Sequence, residues 1–282
     1  MIINKEEGII VLILKNCTKS FKKTKALNDF SCEFKHGIYG LLGPNGSGKT
    51  TMMRCICGLL SPEKGSIECD CENIGYLPQQ FGAMKSLTVY ETMRYFATLK
   101  KIPKSNQDNE IRYCIDLVNL SDKIKNKVGS LSGGMVRRLG IAQAIMGNNE
   151  IVLFDEPTAG LDPEERVRFK SLLRKIKNDK TIIISTHIVS DVKSICDEIV
   201  IINEGRNVVQ GTCSDITSIG NEKVFLLDEE YENNLEGNYY VKDRISKDNK
   251  NYIIVLSSNF IEQGVSINAD IEDGYLCALK DI

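Results

Sequence analysis

The sequence lacks long apolar runs. Its longest apolar stretches, such as residues 8–14 and 182–184, are far shorter than the roughly 20 residues that span a bilayer. We therefore expect no membrane span in this chain. A secretory signal is not expected either, because Lys5, Glu6 and Glu7 precede the first apolar run and no small-residue cleavage site follows. Both absences favour a cytosolic protein.

A metal-binding cysteine motif is also lacking, although the chain has ten cysteines. A cytosolic protein keeps its thiols reduced, so we expect no disulfide framework. Cys55 and Cys57 fall in a predicted helix, where positions two apart point to different faces and cannot close on one ion. Cys69 and Cys71 could share a strand face, but no second pair follows at zinc-like spacing. We expect all four to be ordinary small residues.

Charge is distributed unevenly, although the formal net charge is only −2. Residues 213–282 hold 14 acidic and 6 basic residues, so this segment carries −8 and residues 1–212 carry +6. The change of sign predicts a boundary between a larger unit, 1–212, and a small acidic accessory domain, 213–282, with short strands at 252–256 and 265–269. The larger unit suits a polyanionic ligand such as a nucleotide, but its weak charge does not predict nucleic-acid binding.

The hydrophobic pattern predicts an α/β fold. Short apolar runs that are followed by turn residues and then by helical spacing are typical of buried parallel strands alternating with helices. Such runs cover residues 38–42, 151–154, 182–184 and 199–202. Two further segments, 9–14 and 30–34, predict an antiparallel layer that flanks this sheet.

One region departs from the alternation of strands and helices. Between residues 86 and 130 the pattern is helical throughout. Thr88 and Glu91 have the spacing of a capping box, which predicts that a helix covers residues 89–101. We expect residues 86–130 to form an inserted helical subdomain.

A phosphate-binding loop runs from Gly43 to Thr50. It fits the pattern G-x-x-x-x-G-K-[ST] at every fixed position and lies between an apolar strand and a helix. Its backbone N–H groups and the helix N-terminus attract phosphates, Lys49 contacts the β- and γ-phosphates, and Thr50 binds Mg²⁺. A glycine turn that merely opens a helix would not explain Lys49 and Thr50. The predicted nucleotide-binding residues here are Gly43, Pro44, Asn45, Gly46, Ser47, Gly48, Lys49, Thr50 and Thr51.

Two carboxylates follow the apolar run at 151–154. Asp155 and Glu156 are expected at the carboxyl end of a buried strand, where ligands bind in open α/β sheets. Asp155 suits Mg²⁺ bound through its water shell, and Glu156 can polarise an attacking water. The alternative is an acidic pair that simply begins a loop. A guanine-specificity motif of the Asn/Thr-Lys-x-Asp type is missing from the sequence, so adenine is the expected base.

A five-residue motif lies between the phosphate loop and the acidic pair: Leu131, Ser132, Gly133, Gly134 and Met135. It resembles the signature sequence of ATP-binding cassette (ABC) proteins, which is far more specific than a phosphate loop. The resemblance covers roughly residues 9–212. It implies a P-loop NTPase core with a mostly parallel sheet, an antiparallel β layer and an inserted helical subdomain, and it implies ATP and Mg²⁺ as ligands.

The resemblance assigns four further side chains. It implies that Phe21 stacks on adenine, that Gln79 is the glutamine-loop residue near Mg²⁺ and the reacting water, that Asp162 belongs to the D-loop, and that His187 is the switch histidine. An apolar strand also aims His187 into the crevice, whereas His36 is expected to be structural or on the surface. A core aromatic and a plain loop residue are the alternatives for Phe21 and Gln79.

Some positions need comment. Met135 stands where glutamine is commonest in the signature. Gln80 directly follows Gln79, which leaves the glutamine assignment ambiguous by one residue. Arg137 and Arg138 follow the signature and are expected on a solvated helix face, outside the site.

The signature implies a site shared between two chains. Ser132 and the glycines after it form a second anion site at a helix start, which makes sense only for a nucleotide held by a facing subunit. We expect two cassettes, as a homodimer or with a paired subunit, to meet head to tail around ATP. Hydrolysis, with Glu156 orienting water and His187 steadying the γ-phosphate, then separates them.

The motifs look most like those of ATP-binding subunits of drug and antibiotic exporters of the ABC-2 type. The expected function is ATP hydrolysis for such an exporter, at the cytoplasmic face of the cell membrane through a separate integral membrane permease. An importer ATPase with a binding-protein partner is one alternative. A soluble cassette protein acting on ribosomes or DNA is another, but a second cassette and long coiled coils are missing from the sequence, so no nucleic-acid partner is expected.

Overall fold

The computed structural model describes residues 10–69, 71, 73–248 and 250–282. The predictions for the N-terminal residues, including the strand start at Ile9 and the lack of a signal, fall outside these residues. The elements of residues 10–211 are, in chain order, β1 (Ile10–Phe21), β2 (Thr24–Lys35), β3 (Gly37–Leu42), α1 (Lys49–Ile56), β4 (Lys64–Cys69), β5 (Ile74–Leu77), α2 (Val89–Leu99), α3 (Lys104–Leu117), α4 (Gly133–Ile145), β6 (Ile151–Asp155), α5 (Pro163–Ile176), β7 (Thr181–Thr186), α6 (Val189–Val192), β8 (Glu198–Asn203) and β9 (Arg206–Gly211). They are followed by α7 (Cys213–Ser218), β10 (Val224–Asp228), β11 (Tyr239–Lys247), β12 (Lys250–Ser257), β13 (Val265–Ser266) and α8 (Ile271–Lys280).

The central sheet has six strands in the order β5-β6-β7-β3-β8-β9. The first five are parallel, and β9 pairs antiparallel with β8 at the edge. All residues of β6 and β7 are buried, which explains why their sequences are continuously apolar instead of alternating. The four predicted apolar runs all lie in this sheet, so the predicted mostly parallel core is confirmed.

A second, antiparallel sheet has the order β2-β1-β4 and lies against the first. Phe30 and Phe34 of β2 pack in one apolar cluster with Met52 of α1, which joins the two layers. The amides of Asn207 and Gln210 on β9 donate 3.0 Å hydrogen bonds to carbonyl oxygens of β2. The predicted antiparallel layer is confirmed, and its contact with β9 covers one edge of the central sheet.

Helices α2, α3 and α4 pack around a common apolar cluster. The capping box of Thr88 and Glu91 is formed as predicted, but α2 ends at Leu99, two residues early, because Lys101 adopts a left-handed conformation before Pro103. The Lys100 ammonium is partly buried and donates to carbonyl oxygens at the end of α4, those of Gln143 (2.6 Å) and Met146 (2.8 Å). The limits of the helical subdomain, 86–130, stay a prediction.

The acidic tail contains a four-stranded antiparallel sheet in the order β11-β12-β10-β13. The strand predicted at 252–256 lies in β12, whereas only two residues of the stretch 265–269 pair, as β13. This sheet has its own apolar cluster, which includes Phe225 and Ile253. It forms a separate layer from the cassette sheet.

The two helices of the tail, α7 and α8, do not pack only within the tail. Their buried side chains share one apolar cluster with residues of the cassette. The cluster contains Leu42, Val189, Val192, Ile199, Ile201, Ile216, Ile271 and Tyr275. The boundary after residue 212 stays a prediction, and these contacts cross it.

Among the described helices, none combines the length and the apolar character needed to cross a membrane.

Candidate nucleotide-binding and hydrolysis site

The phosphate-binding loop connects the end of β3 with the start of α1. Gly48 precedes α1 with a φ of 113°, in the region that favours glycine. A Cβ at this position would lie 2.3 Å from the carbonyl oxygen of Ala26 on β2. Glycine is therefore required here for two independent reasons, the positive φ and the close approach of the antiparallel layer to the loop.

Lys49 is only 6% exposed, and its position is set by the loop itself. Its Nζ donates to the carbonyl oxygens of Gly43 (2.7 Å) and Pro44 (2.8 Å). Burial lowers the pKa of Lys49, while the nearby carboxylates of Glu156 and Asp155 oppose that shift. The loop thus holds an ammonium group at a site built for anions.

A cavity of about 250 Å³ opens at this loop. Gln79 and Glu156 line it, as does Ala26, which sequence reasoning did not single out. The predicted phosphate-loop residues that line it are Asn45, Gly46, Gly48, Lys49, Thr50 and Thr51.

Asp155 lies at the end of β6, next to this cavity, and is almost fully buried. Its Oδ1 accepts a 2.6 Å hydrogen bond from the hydroxyl of Ser185, whereas its Oδ2 has no partner among the described residues. The buried hydroxyl of Ser47 is likewise without a partner there. Buried polar atoms of this kind are rare, and a partnerless carboxylate oxygen fits a hard cation such as Mg²⁺.

Glu156 adopts a φ of 49°, an uncommon conformation for a residue with a long side chain. Its backbone N–H donates to the hydroxyl of Ser185 at 2.9 Å. Its carboxylate accepts a hydrogen bond from Gln79 Nε2 (3.1 Å) on Oε2, and Nδ1 of His187 lies 3.2 Å from Oε1. The strained turn therefore places this carboxylate between the amide and the imidazole.

The order of strands explains this convergence. Gln79, Glu156 and His187 follow β5, β6 and β7, which are adjacent and parallel. Their carboxyl ends meet at one edge of the sheet, where β3 also delivers the phosphate loop. Three residues that are far apart in sequence are thus brought together, and two of them, Gln79 and Glu156, line the cavity that holds Lys49.

The signature residues lie elsewhere. Ser132 is the exposed N-cap of α4, where its hydroxyl accepts from the N–H of Met135 at 3.3 Å. Asp162 caps α5 in the same way, accepting from Glu165 N at 2.8 Å. Neither the five signature residues nor Asp162 are among the lining of the cavity at Lys49. In this single chain the signature and the phosphate loop form two separate surfaces.

Phe21 lies at the end of β1 and is 46% exposed. The Nζ of Lys19 is 5.9 Å from the centre of its ring. The alternative of a core aromatic is therefore wrong, and the ring is free to stack on a planar ligand.

The solvated helix face predicted for Arg137 and Arg138 is wrong. Arg137 is only 8% exposed and Arg138 also lies largely buried, donating to the carbonyl oxygens of Val118 and Asn119. The sequence carried a signal for the first residue, since Arg137, Ile141 and Ala144 share one helical face. The guanidinium of Arg137 donates to five carbonyl oxygens, those of Pro78, Gln79, Asp155, Glu156 and Pro157.

The fold and this cavity define an ATP-binding cassette, and comparison with known proteins agrees. A family model described as ABC transporter matches residues 27–159. The uncharacterized ABC transporter ATP-binding protein YxlF of Bacillus subtilis is 30% identical over 92% of this chain and 90% of its own length. The chain therefore belongs to the ATP-binding proteins of ABC transporters, and it is an ATPase.

Other relatives differ in the transport that their names describe. The Nod factor export ATP-binding protein I of Burkholderia lata is 34% identical over 70% of this chain and 69% of its own length. The methionine import ATP-binding protein MetN of Carboxydothermus hydrogenoformans is 32% identical over 73% of this chain and 67% of its own length. Among solved structures, the dimeric post-hydrolysis state of the cassette MJ0796 with ADP and Pi aligns with a TM-score of 0.65 and 26% identity, covering 71% of this chain and 98% of that one.

Proposed function

We propose that this chain hydrolyses ATP for a membrane exporter whose permease is a separate protein. The observation that carries the hydrolytic part is that Gln79 and Glu156 meet in the lining of the cavity that holds Lys49, with His187 in contact with the Glu156 carboxylate. An amide, a carboxylate and an imidazole beside a phosphate loop can orient and deprotonate a water for phosphoryl transfer.

The proposed reaction uses these groups in turn. The loop N–H groups and Lys49 bind the phosphates of ATP, which gives the ammonium anionic partners in addition to its carbonyls. Glu156 accepts a proton from the water that attacks the γ-phosphorus, and Gln79 holds that carboxylate in place. His187, on the other side of the carboxylate, donates to the γ-phosphate. As the water oxygen bonds to the γ-phosphorus, the bond from that phosphorus to the oxygen bridging the β- and γ-phosphates breaks, and ADP keeps this oxygen. Glu156 passes its proton to the released phosphate or to solvent, and ADP and phosphate leave.

Mg²⁺ fits the same cavity. Thr50, Gln79 and Asp155 are the proposed ligands. Thr50 and Gln79 line the cavity, and the second oxygen of Asp155 is buried without a partner among the described residues. When bound, the ion supplies neutralisation of the β- and γ-phosphate charges.

The proposed active form is a head-to-tail dimer. The exposed Ser132 and the start of α4 would complete the nucleotide site of a facing chain, since the signature residues do not line the cavity of their own chain. The dimeric structure of MJ0796 supports such pairing. The partner is a second copy of this chain or a paired cassette.

Mixing two inactive variants tests the dimer. Lys49→Ala loses the loop cation and Ser132→Arg blocks the facing site, so each should lose turnover, while Lys64→Ala on an exposed strand should not. A mixture forms heterodimers in which one site has both intact halves, and partial activity should return. No recovery, together with no ATP-dependent dimer, would contradict the shared site.

Export is proposed because the motifs resemble exporter subunits and a Nod factor export protein is among the relatives. Deleting the gene in its source organism should then increase sensitivity to at least one compound of a drug and antibiotic panel. Wild-type chain should restore resistance, whereas Glu156→Gln should not. A defect in nutrient uptake without altered drug sensitivity would instead favour an importer, as the likeness to a methionine import protein allows. Co-purification from membranes should recover the permease.

A further inference from the structure

Arg137 lies in the first turns of α4, two residues beyond the signature, and points away from solvent. All five N–H groups of its guanidinium have a partner, since the side chain makes five hydrogen bonds to backbone carbonyls. A buried cation with this many bonds to other segments is costly to leave unpaired. Its partners therefore indicate what it holds.

The bonds divide by nitrogen atom. Nη1 donates to the carbonyl oxygens of Pro78 and Gln79, both at 2.9 Å. Nη2 donates to those of Asp155 and Glu156, both at 2.6 Å. One nitrogen thus holds the glutamine loop and the other holds the end of β6, with Nε adding a 3.3 Å bond to Pro157.

These two segments carry the side chains that meet in the cavity. The amide of Gln79 donates to the carboxylate of Glu156 at 3.1 Å, so Arg137 fixes the backbones on both sides of that hydrogen bond. The planar fork is needed for this, because a lysine ammonium has three donors at one point and cannot serve both segments. The same side chain belongs to the helix that the signature begins.

We propose that Arg137 is a positioning residue for hydrolysis: it holds the glutamine loop and the β6 end at a fixed separation and ties both to the signature helix. A movement of α4 then changes the geometry around Glu156 without any change at the phosphate loop. This inference rests on the proposed hydrolytic function and adds a residue that does not line the nucleotide cavity.

The test compares Arg137→Lys with Arg138→Lys, the neighbour on the same helix. Arg138 donates to carbonyl oxygens at the end of α3 and pairs with the carboxylate of Glu165 on α5 at 3.3 Å. None of these partners lines the cavity, which makes Arg138 a matched control. We expect Arg137→Lys to lower kcat for ATP hydrolysis at least about tenfold, with KM for ATP within about twofold, because the phosphate loop is untouched. The control should keep both constants within about twofold. The kinetics of both variants are measured well below the melting temperature of each.

Hydrogen exchange gives a second measurement. Peptides covering 76–83 and 154–159 should exchange faster in Arg137→Lys than in the wild-type chain, whereas Arg138→Lys should affect the regions around 117–121 and 162–166, where its own partners lie. If Arg137→Lys does not fold, the neutral Arg137→Gln takes its place with the same expectations.

Four results are distinguishable. An unchanged kcat in a folded Arg137 variant, or an equal loss in Arg138→Lys, would overturn the positioning role. The positioning role would also be overturned if KM for ATP rose in Arg137→Lys as much as kcat fell, while hydrogen exchange in the two peptides stayed unchanged. A wild-type chain without ATP hydrolysis would instead refute the proposed function.

Discussion

The hydroxyl of Ser185 donates a 2.6 Å hydrogen bond to the carboxylate of Asp155. The register of β6 and β7 sets these two residues opposite each other. The same hydroxyl accepts a 2.9 Å bond from the N–H of Glu156. One buried side chain on β7 therefore orients both acidic residues that end β6.

Replacing Ser185 with Ala should impair hydrolysis and stability together. The buried Asp155 carboxylate would lose a donor, which costs about 1–3 kcal/mol. If half of that loss falls on the transition state, kcat falls about two- to tenfold. Steady-state hydrolysis and thermal unfolding measure the two effects. Ser171→Ala, on the exposed side of α5, is the control, and equal rates in both variants would contradict this role of Ser185.

Glu156→Gln keeps the shape of the side chain but removes its ability to accept a proton. We expect the rate of hydrolysis to fall on the order of 10² or more. ATP should then hold the chains together, which size-exclusion chromatography with ATP and Mg²⁺ detects as a persistent dimer. Glu164→Gln, exposed on α5, should behave like the wild-type chain. Normal turnover, or a variant that stays monomeric with ATP, would speak against the assigned role.

Much of the site could be predicted from sequence because its motifs are local. The structure of the loop around Lys49, and that of the strand that ends at Asp155, can each be predicted from a stretch of about ten residues. Parallel strand order then brings Gln79, Glu156 and His187 together. Arg137 could not be predicted in this way, since its carbonyl partners lie 18 to 59 residues away and a charged residue is ordinarily solvated.

The tail illustrates a different limit. Composition averages over a segment and responds to its many exposed acids, whereas packing depends on a few apolar residues. Ile216 and Ile271 are two of these, and both belong to the cluster shared with the cassette. A charge boundary and a packing boundary therefore need not coincide.

Ile216→Ala tests this packing. Ile216 is fully buried, and removing three carbons should cost roughly 2–5 kcal/mol of stability. We expect calorimetry to show a lower Tm for the same transition that ATP raises, because α7 packs on the cassette. Val265→Ala, exposed in β13, should leave that Tm unchanged. A lowered transition that ATP does not affect would mean that the tail unfolds independently.

Lys100 provides a prediction about pH. Burial lowers its pKa from 10.5 to about 8. Between these values the unfolded chain binds the proton and the folded chain does not, so this group makes the free energy of unfolding rise with pH from about 8 to about 10.5. Urea denaturation at several pH values should show wild type gaining stability relative to Lys100→Met across that window. A constant difference would mean that the ammonium keeps its proton in the folded chain.

The contact between β9 and β2 has a consequence for association. An open strand edge invites pairing with another chain, which leads to aggregation. Here the side-chain amides of Asn207 and Gln210 on β9 donate hydrogen bonds to carbonyl oxygens of β2. At the other edge of the central sheet, β5 has only four residues. In the tail sheet the edge strand β11 carries charges such as Lys242 and Arg244. Strand-to-strand addition is thus discouraged at the edges formed by β2, β9, β5 and β11, which favours the faces of the molecule for ordered self-recognition.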